Sequence, residues 1–194
     1  MNYNNVSVVT KEKCCGCHAC YNACPTNAIE MITDSEGFLY PNISIDRCIN
    51  CGKCIKSCPG VKLPNMNSLD KAYACYAKDQ DEHLSSSSGG FFAVSARQIL
   101  GEGGVICGAA FDDFVRVNHI ITDNGIGLNK IKKTKYVQSN IGQVYLQIEK
   151  ILNEGRMVLF SGTPCQVAGL KLFLGREYNN CLLYTSPSQR DSTS

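Results

Sequence analysis

Cys14, Cys17, Cys20 and Cys24, the last followed by Pro25, repeat their spacing in Cys48, Cys51, Cys54 and Cys58, followed by Pro59. Each run reads C-x2-C-x2-C-x3-C-P, a spacing that suits [4Fe-4S] cubanes. Three thiolates set three residues apart lie along one tight turn and cap three corners of a cubane. The cysteine before proline points away and completes the other cluster. The rule predicts one ligand set of Cys14, Cys17, Cys20 and Cys58 and a second of Cys48, Cys51, Cys54 and Cys24. Proline lacks an N–H and disfavours helix at the residue before it, so Pro25 and Pro59 fix the chain's exit from each site. Structural zinc takes two separated cysteine pairs more often than one continuous series. Disulfides need an oxidising compartment, and residues 1–13 contain no apolar signal-peptide core. The 13 cysteines therefore read as a reduced, cytoplasmic set. Cys15 falls outside the ligand register and reads as a buried or spare thiol. His18, inside the first loop, reads as a solvent-facing or sulfur-contacting residue.

The elements that must position these thiolates are short. Residues 28–32 and 37–40 predict two apolar strands and a turn that wall the clusters from water. This arrangement resembles the bacterial two-cluster ferredoxins, which implies an α+β ferredoxin-like domain over residues 1–66. At 194 residues the chain has room for that domain and one larger one. A formal net charge of +2 with mixed signs argues against a nucleic-acid surface, which needs a clustered basic face. No apolar run approaches the roughly 20 residues that span a bilayer.

Residues 60–70 read as a linker, with Pro64, Asn65, Asn67 and Ser68, and a second domain is expected from residue 71. Its first element, 71–77, predicts a strand. Then Ser85, Ser86, Ser87, Ser88, Gly89 and Gly90 precede an apolar helical stretch at 91–100. Serines that can cap a helix, glycines that admit a ligand and free N–H groups suit an anion cradle, and a flexible serine-rich linker is the bland alternative. Strands follow at 105–110 and 115–121, with His119 expected as a surface or satisfied residue. Ile141, Val144, Tyr145, Ile148, Ile151 and Leu152 recur at helical spacing, with Ser139 as N-cap and Gly155 as the stop. A buried strand at 157–160 leads into Ser161, Gly162, Thr163, Pro164, Cys165 and Gln166. Thr163 can cap, Pro164 suits the first helical position, and Cys165 then sits where the helix dipole favours a thiolate. Cys165 reads as an extra cluster ligand, a redox thiol or a residue beside a flavin or substrate, against an inert buried cysteine.

The cysteine pair with SSSSGGFF, GGVICGAAF, TKYVQS and VLFSGTPCQVAGLK resembles the coenzyme F-420 hydrogenase/dehydrogenase beta-subunit family over roughly residues 10–180. The resemblance implies an incomplete α/β flavin-binding domain at 71–180, with FAD beside two [4Fe-4S] clusters and coenzyme F-420 as a candidate substrate. It places Ser86, Ser87, Ser88, Gly89, Gly90, Tyr136, Gln138, Ser139, Thr163, Pro164 and Gln166 around the flavin, with Cys165 and Lys135 in catalytic roles. His83 stands where the family often carries arginine. The implied function is an iron–sulfur flavoprotein oxidoreductase that joins one-electron and two-electron chemistry. Its partners would be ferredoxin or a hydrogenase/dehydrogenase subunit, together with a small-molecule substrate. The alternatives are a ferredoxin-type electron-transfer module without a flavin and a zinc-bearing structural protein. Residues 181–194 resemble translated sequencing-adapter DNA, so the native gene is expected to continue and this tail to stand outside the fold.

Overall fold

The computed structural model describes residues 4–65 and 73–185. In the first stretch, single helical turns at Val6–Val8 and Lys11–Lys13 lead into the first cysteine run. Each run curls and then makes one turn of helix, α1 (Ala19–Asn22) and α2 (Lys53–Lys56). The curl has the same backbone cause in both. Gly16 and His18 have φ of 61° and 62°, and Asn50 and Gly52 have 51° and 72°. Left-handed residues therefore stand at matching places either side of the second cysteine, a conformation that glycine and asparagine adopt most readily. Between the runs, β1 (Ile29–Thr33) pairs antiparallel with β2 (Leu39–Ile43). The Asp34 carboxylate closes their turn by accepting the N–H groups of Glu36 and Phe38.

The larger unit contains β3 (Val105–Phe111), β4 (Val117–Thr122), β5 (Val158–Gly162) and β6 (Cys181–Thr185), in the order β4-β3-β5-β6. The β3–β4 pair is antiparallel and the other two are parallel. Its helices are α3 (Gln80–Ser85), α4 (Phe91–Gly101), α5 (Gly125–Ile131), α6 (Val144–Asn153) and α7 (Pro164–Leu174). Strand alternation divides the core. Val105, Cys107, Val158 and Phe160 face α6 and α7, while Ile106, Ala110 and Leu159 face α4 and α5. Helices on both faces of a mostly parallel sheet make this unit α/β, as expected. The cluster unit lies on the α6/α7 side, where Cys17 and Ala19 join the core of that face. Among the described residues, no helix is long and apolar enough to cross a membrane.

Several boundaries depart from expectation. Residues 73–77 are irregular, and Ala77 N–H donates to Gly89 O at 2.7 Å instead of joining a ladder. Residues 71 and 72 and most of the expected linker lie outside the described residues. Ser139 does not cap α6, because Gly142 (φ 53°) redirects the chain and the helix begins after Gln143. No serine side chain caps α4 either; its N-cap is Gly90 (φ 75°). The largest correction concerns the tail. Cys181–Thr185 is a strand paired in register with Val158–Gly162, and Cys181 and Leu183 pack on the α6/α7 core. The sheet unit therefore extends past residue 180. Residues 186–194 lie outside the described residues.

Candidate metal centres

Two recesses are lined by cysteine. Cys14, Cys17, Cys20 and Cys58 ring one, with Val6, Met31 and Pro41 as apolar wall. Cys24, Cys48, Cys51 and Cys54 ring the other, with Ile29, Ile43 and Asn5. Each ring takes three cysteines from one run and the proline-preceding cysteine from the other. The chain's own turns achieve this exchange: the single helical turns α1 and α2 carry Cys24 and Cys58 away from the loops that precede them. Each recess thus offers four motif thiols drawn from two stretches of chain, the all-sulfur donor set that a [4Fe-4S] cluster takes.

The two rings differ in their surroundings. Cys17, Cys20 and Cys58 are buried, whereas in the second ring Cys54 is buried and Cys51 is exposed. Burial pushes the thiols of Cys20, Cys54 and Cys58 up, so ligation there must displace protons. Burial also opposes ionisation of Cys24. Backbone N–H groups of Thr26, Ala28 and Ile29 and the Thr26 hydroxyl outweigh it and hold this thiol below its ordinary range. Ala28 N–H donates to Cys24 Sγ at 3.2 Å, and Asn5 Nδ2 to Cys48 Sγ at 3.6 Å. Such donors stabilise negative charge on sulfur and raise a cluster's potential. Nothing local in the sequence marks Asn5 for this role, because its partner lies 43 residues away.

His18 is not solvent-facing; it lines the first recess beside the cysteines. It is 2 % exposed, and its Nδ1–H donates to Gly16 O at 2.9 Å. Burial lowers its pKa. His119 is likewise buried; its Nε2–H donates to Ser161 O at 3.0 Å and its ring stacks on Phe160. Burial brings its pKa down to about 4, which keeps it neutral.

The remaining candidate residues fall into two groups. In the first, Ser86 Oγ donates to Glu82 Oε1 at 3.2 Å, and Ser87 Oγ accepts Thr134 N–H at 2.9 Å. Ser88 has φ 55°. Gly89 lies so close to Cys75 O that a Cβ would meet it at 2.5 Å. Lys135 Nζ donates to Ile131 O at 2.9 Å and also to Lys130 O, capping α5. Desolvation brings the Lys135 pKa down to about 8. Tyr136 is exposed.

The second group sits against the first cysteine run. Gln166 Oε1 accepts Thr163 N–H at 2.9 Å, and its Nε2 donates to Ser139 Oγ at 2.9 Å. Pro164 opens α7, and Cys165 Sγ lies 3.1 Å from Thr163 Oγ1. Gln138 Nε2 donates to Cys15 O at 3.1 Å. Contact with the Cys165 thiol pulls the Cys15 pKa down, but the Cys17 thiol and burial push it further the other way, up to about 12. Contact with Cys15 and burial also raise Cys165. Gly169 of α7 comes so near the loop that a Cβ would stand 3.1 Å from Cys17 Sγ.

Residues 13–60 match the 4Fe-4S dicluster domain, and residues 45–76 match a 4Fe-4S binding domain. The chain is 38% identical over 53 residues to a ferredoxin-type protein, NapF, of Haemophilus influenzae, covering 27% of this chain and 30% of that one. It is 40% identical over 52 residues to the polyferredoxin-like subunit of an aliphatic sulfonate oxidoreductase of Pyrococcus furiosus, covering 27% and 28%. An uncharacterized ferredoxin of Methanocaldococcus jannaschii is 36% identical over 52 residues, covering 27% and 66%. The chain spans less than a third of the first two relatives. Its N-terminal part carries a ferredoxin-type 4Fe-4S dicluster domain, and that match at residues 13–60 contains the cysteines of both rings.

Proposed function

We propose that the chain is a ferredoxin-type electron-transfer module whose two cysteine rings hold [4Fe-4S] clusters. The observation that carries this reading is the pair of recesses, each bringing together three motif cysteines of one run and the proline-preceding cysteine of the other. A bound [4Fe-4S] cluster supplies one-electron exchange at a potential set by burial and by hydrogen bonds to sulfur. The protein's share is positional. Cys51 brings the second ring to the surface, where a redox partner can approach, and Cys17 sets the first ring against α7. The polyferredoxin-like name of the Pyrococcus relative supports a partner that is itself a redox protein, such as ferredoxin or a hydrogenase/dehydrogenase subunit.

A second reading, an FAD-dependent oxidoreductase of the F-420 beta-subunit type, is favoured by one feature of the sheet unit. α7 follows directly on the end of β5, and Phe92 at the start of α4 packs on Tyr184 near the end of β6, with ring centroids 5.4 Å apart. The Ser86–Gly90 loop and Thr163–Gln166 therefore meet the carboxyl edge of the parallel strands, where α/β sheets bind ligands.

Anaerobic production and reconstitution with iron and sulfide test both. About eight iron atoms per chain and two reducible paramagnetic centres are expected. Zinc in place of iron, or a colourless chain that accepts no electrons, would remove the electron-transfer reading. Stoichiometric FAD retained through gel filtration would establish the second reading over the simpler module.

A further inference from the structure

Cys15 and Cys165 belong to neither cysteine ring, yet the fold brings them together. Cys15 lines the recess of the first ring and has its carbonyl held by Gln138. Cys165 lies in the first turn of α7 with its sulfur 3.1 Å from Thr163 Oγ1. Between these stretches stands Tyr145, whose hydroxyl is 3.0 Å from Cys17 O and 2.9 Å from Gln166 O. One phenol thus spans the two backbones that bear the thiols. Cys15 and Cys165 are both half-buried against the same core, and each thiol perturbs the ionisation of the other. Neither thiol is needed as a ligand, since each ring already has four. Two thiols from distant parts of the chain, one on the wall of the recess and one in the helix packed behind it, suit two-electron chemistry.

We propose that Cys15 and Cys165 form a dithiol/disulfide couple, a two-electron store beside the first cysteine ring. On oxidation both S–H bonds break, one S–S bond forms, and two electrons and two protons leave. On reduction the S–S bond breaks, and two protons complete the thiols. The two electrons come one from each of the two reduced clusters of the electron-transfer reading, on which this part of the inference rests. A disulfide of small-molecule class is a sufficient two-electron oxidant in the reverse direction. Closure would also tie the cluster unit covalently to α7.

The test uses the full chain, reconstituted and poised anaerobically at a series of potentials with mediators. Samples are alkylated under denaturing conditions and digested, and the peptide joining Cys15 to Cys165 is quantified by mass spectrometry. The expected result is a cross-linked peptide that dominates at oxidising potentials, falls at least tenfold at reducing ones, and follows a two-electron Nernst slope. Cys15→Ser and Cys165→Ser should each abolish it while keeping both paramagnetic centres, and Cys107→Ser should leave it unchanged. Absence of the cross-link at every potential with both centres present would overturn the proposal. So would loss of a centre in Cys15→Ser, which would make Cys15 a ligand. Chains that take up no cluster would instead refute the electron-transfer reading, and a dithiothreitol redox buffer then reads the couple directly.

Discussion

Tyr145 shows how much a single atom can join. The side chain is fully buried, and its one hydroxyl hydrogen is shared between the carbonyls of Cys17 and Gln166. Burial, followed by the neighbouring cysteines, raises its pKa well above the ordinary value, so the hydrogen stays in place. Tyr145→Phe keeps the ring's packing but takes the hydroxyl donor from the buried Cys17 carbonyl, which carries a desolvation cost, while the Gln166 carbonyl keeps its place in the α7 ladder. The unfolding free energy should fall by about 1–3 kcal/mol, read by urea denaturation with far-UV circular dichroism. A variant as stable as the parent would mean that the shared hydroxyl is not a joint between the units. The sequence marks Tyr145 only as one member of a helical apolar stripe, because its partners lie 128 and 21 residues away. The cysteine ligands are legible for the opposite reason. Three of every four donors lie within one short loop, so spacing alone encodes their geometry.

At the scale of elements, one carboxylate holds three helices in register. Glu82 of α3 accepts from Arg97 of α4, from Lys132 just after α5 at 3.1 Å and from Ser86 Oγ at 3.2 Å. Lys132 is itself buried at its side chain, 9% exposed, so it depends on this partner. Glu82→Gln should cost roughly 3 kcal/mol near neutral pH, the penalty of an unpaired buried charge. Burial opposes ionisation of Glu82, yet Arg97 and Lys132 outweigh it and hold the carboxyl below its ordinary value of 4.5. Its contribution is therefore complete above about pH 4.5 and lost as pH falls through the lower folded value. The stability gap between parent and variant should be flat from pH 7 to 5 and narrow below that, measured by urea unfolding at each pH. A gap that widens in acid would contradict the sign. β4 was readable from its alternation and β3 from its apolar run after a glycine turn, whereas 73–77 misled because its aromatic residues are exposed: Tyr73 and Tyr76 sit outside any sheet. β6 was passed over for a different reason. Its short apolar run is compatible with a strand, but the resemblance of residues 181–194 to translated adapter DNA set the whole segment outside the expected fold.

The whole molecule is polarised, with one cysteine ring against the sheet unit and the other at the surface, and the surface at the second ring has a definite character. Ile45 and Ile49 are 60% and 64% exposed, close to Cys48 and Cys51 in the chain. Arg47, Lys53 and Lys56 are exposed around them, opposed by Asp46. A small apolar centre with a basic rim suits a partner of the reverse charge: contact at the centre brings the redox groups together, and the rim steers the encounter. Long-range attraction acts on the rate of association and is screened within about 8 Å at physiological salt. The double variant Lys53→Glu with Lys56→Glu should therefore slow electron exchange with an acidic one-electron carrier protein about tenfold at low ionic strength. The difference should close as salt is raised towards 0.5 M, a concentration at which exposed charges more than about 5 Å apart hardly interact. Exchange with a small uncharged mediator should stay unchanged, because neither substitution removes a ligand. Stopped-flow absorbance under anaerobic conditions gives all three rates. Equal slowing for protein carrier and mediator would place the effect on the centre itself and not on docking, and the exposed ring would then lose its claim to be the partner's point of entry.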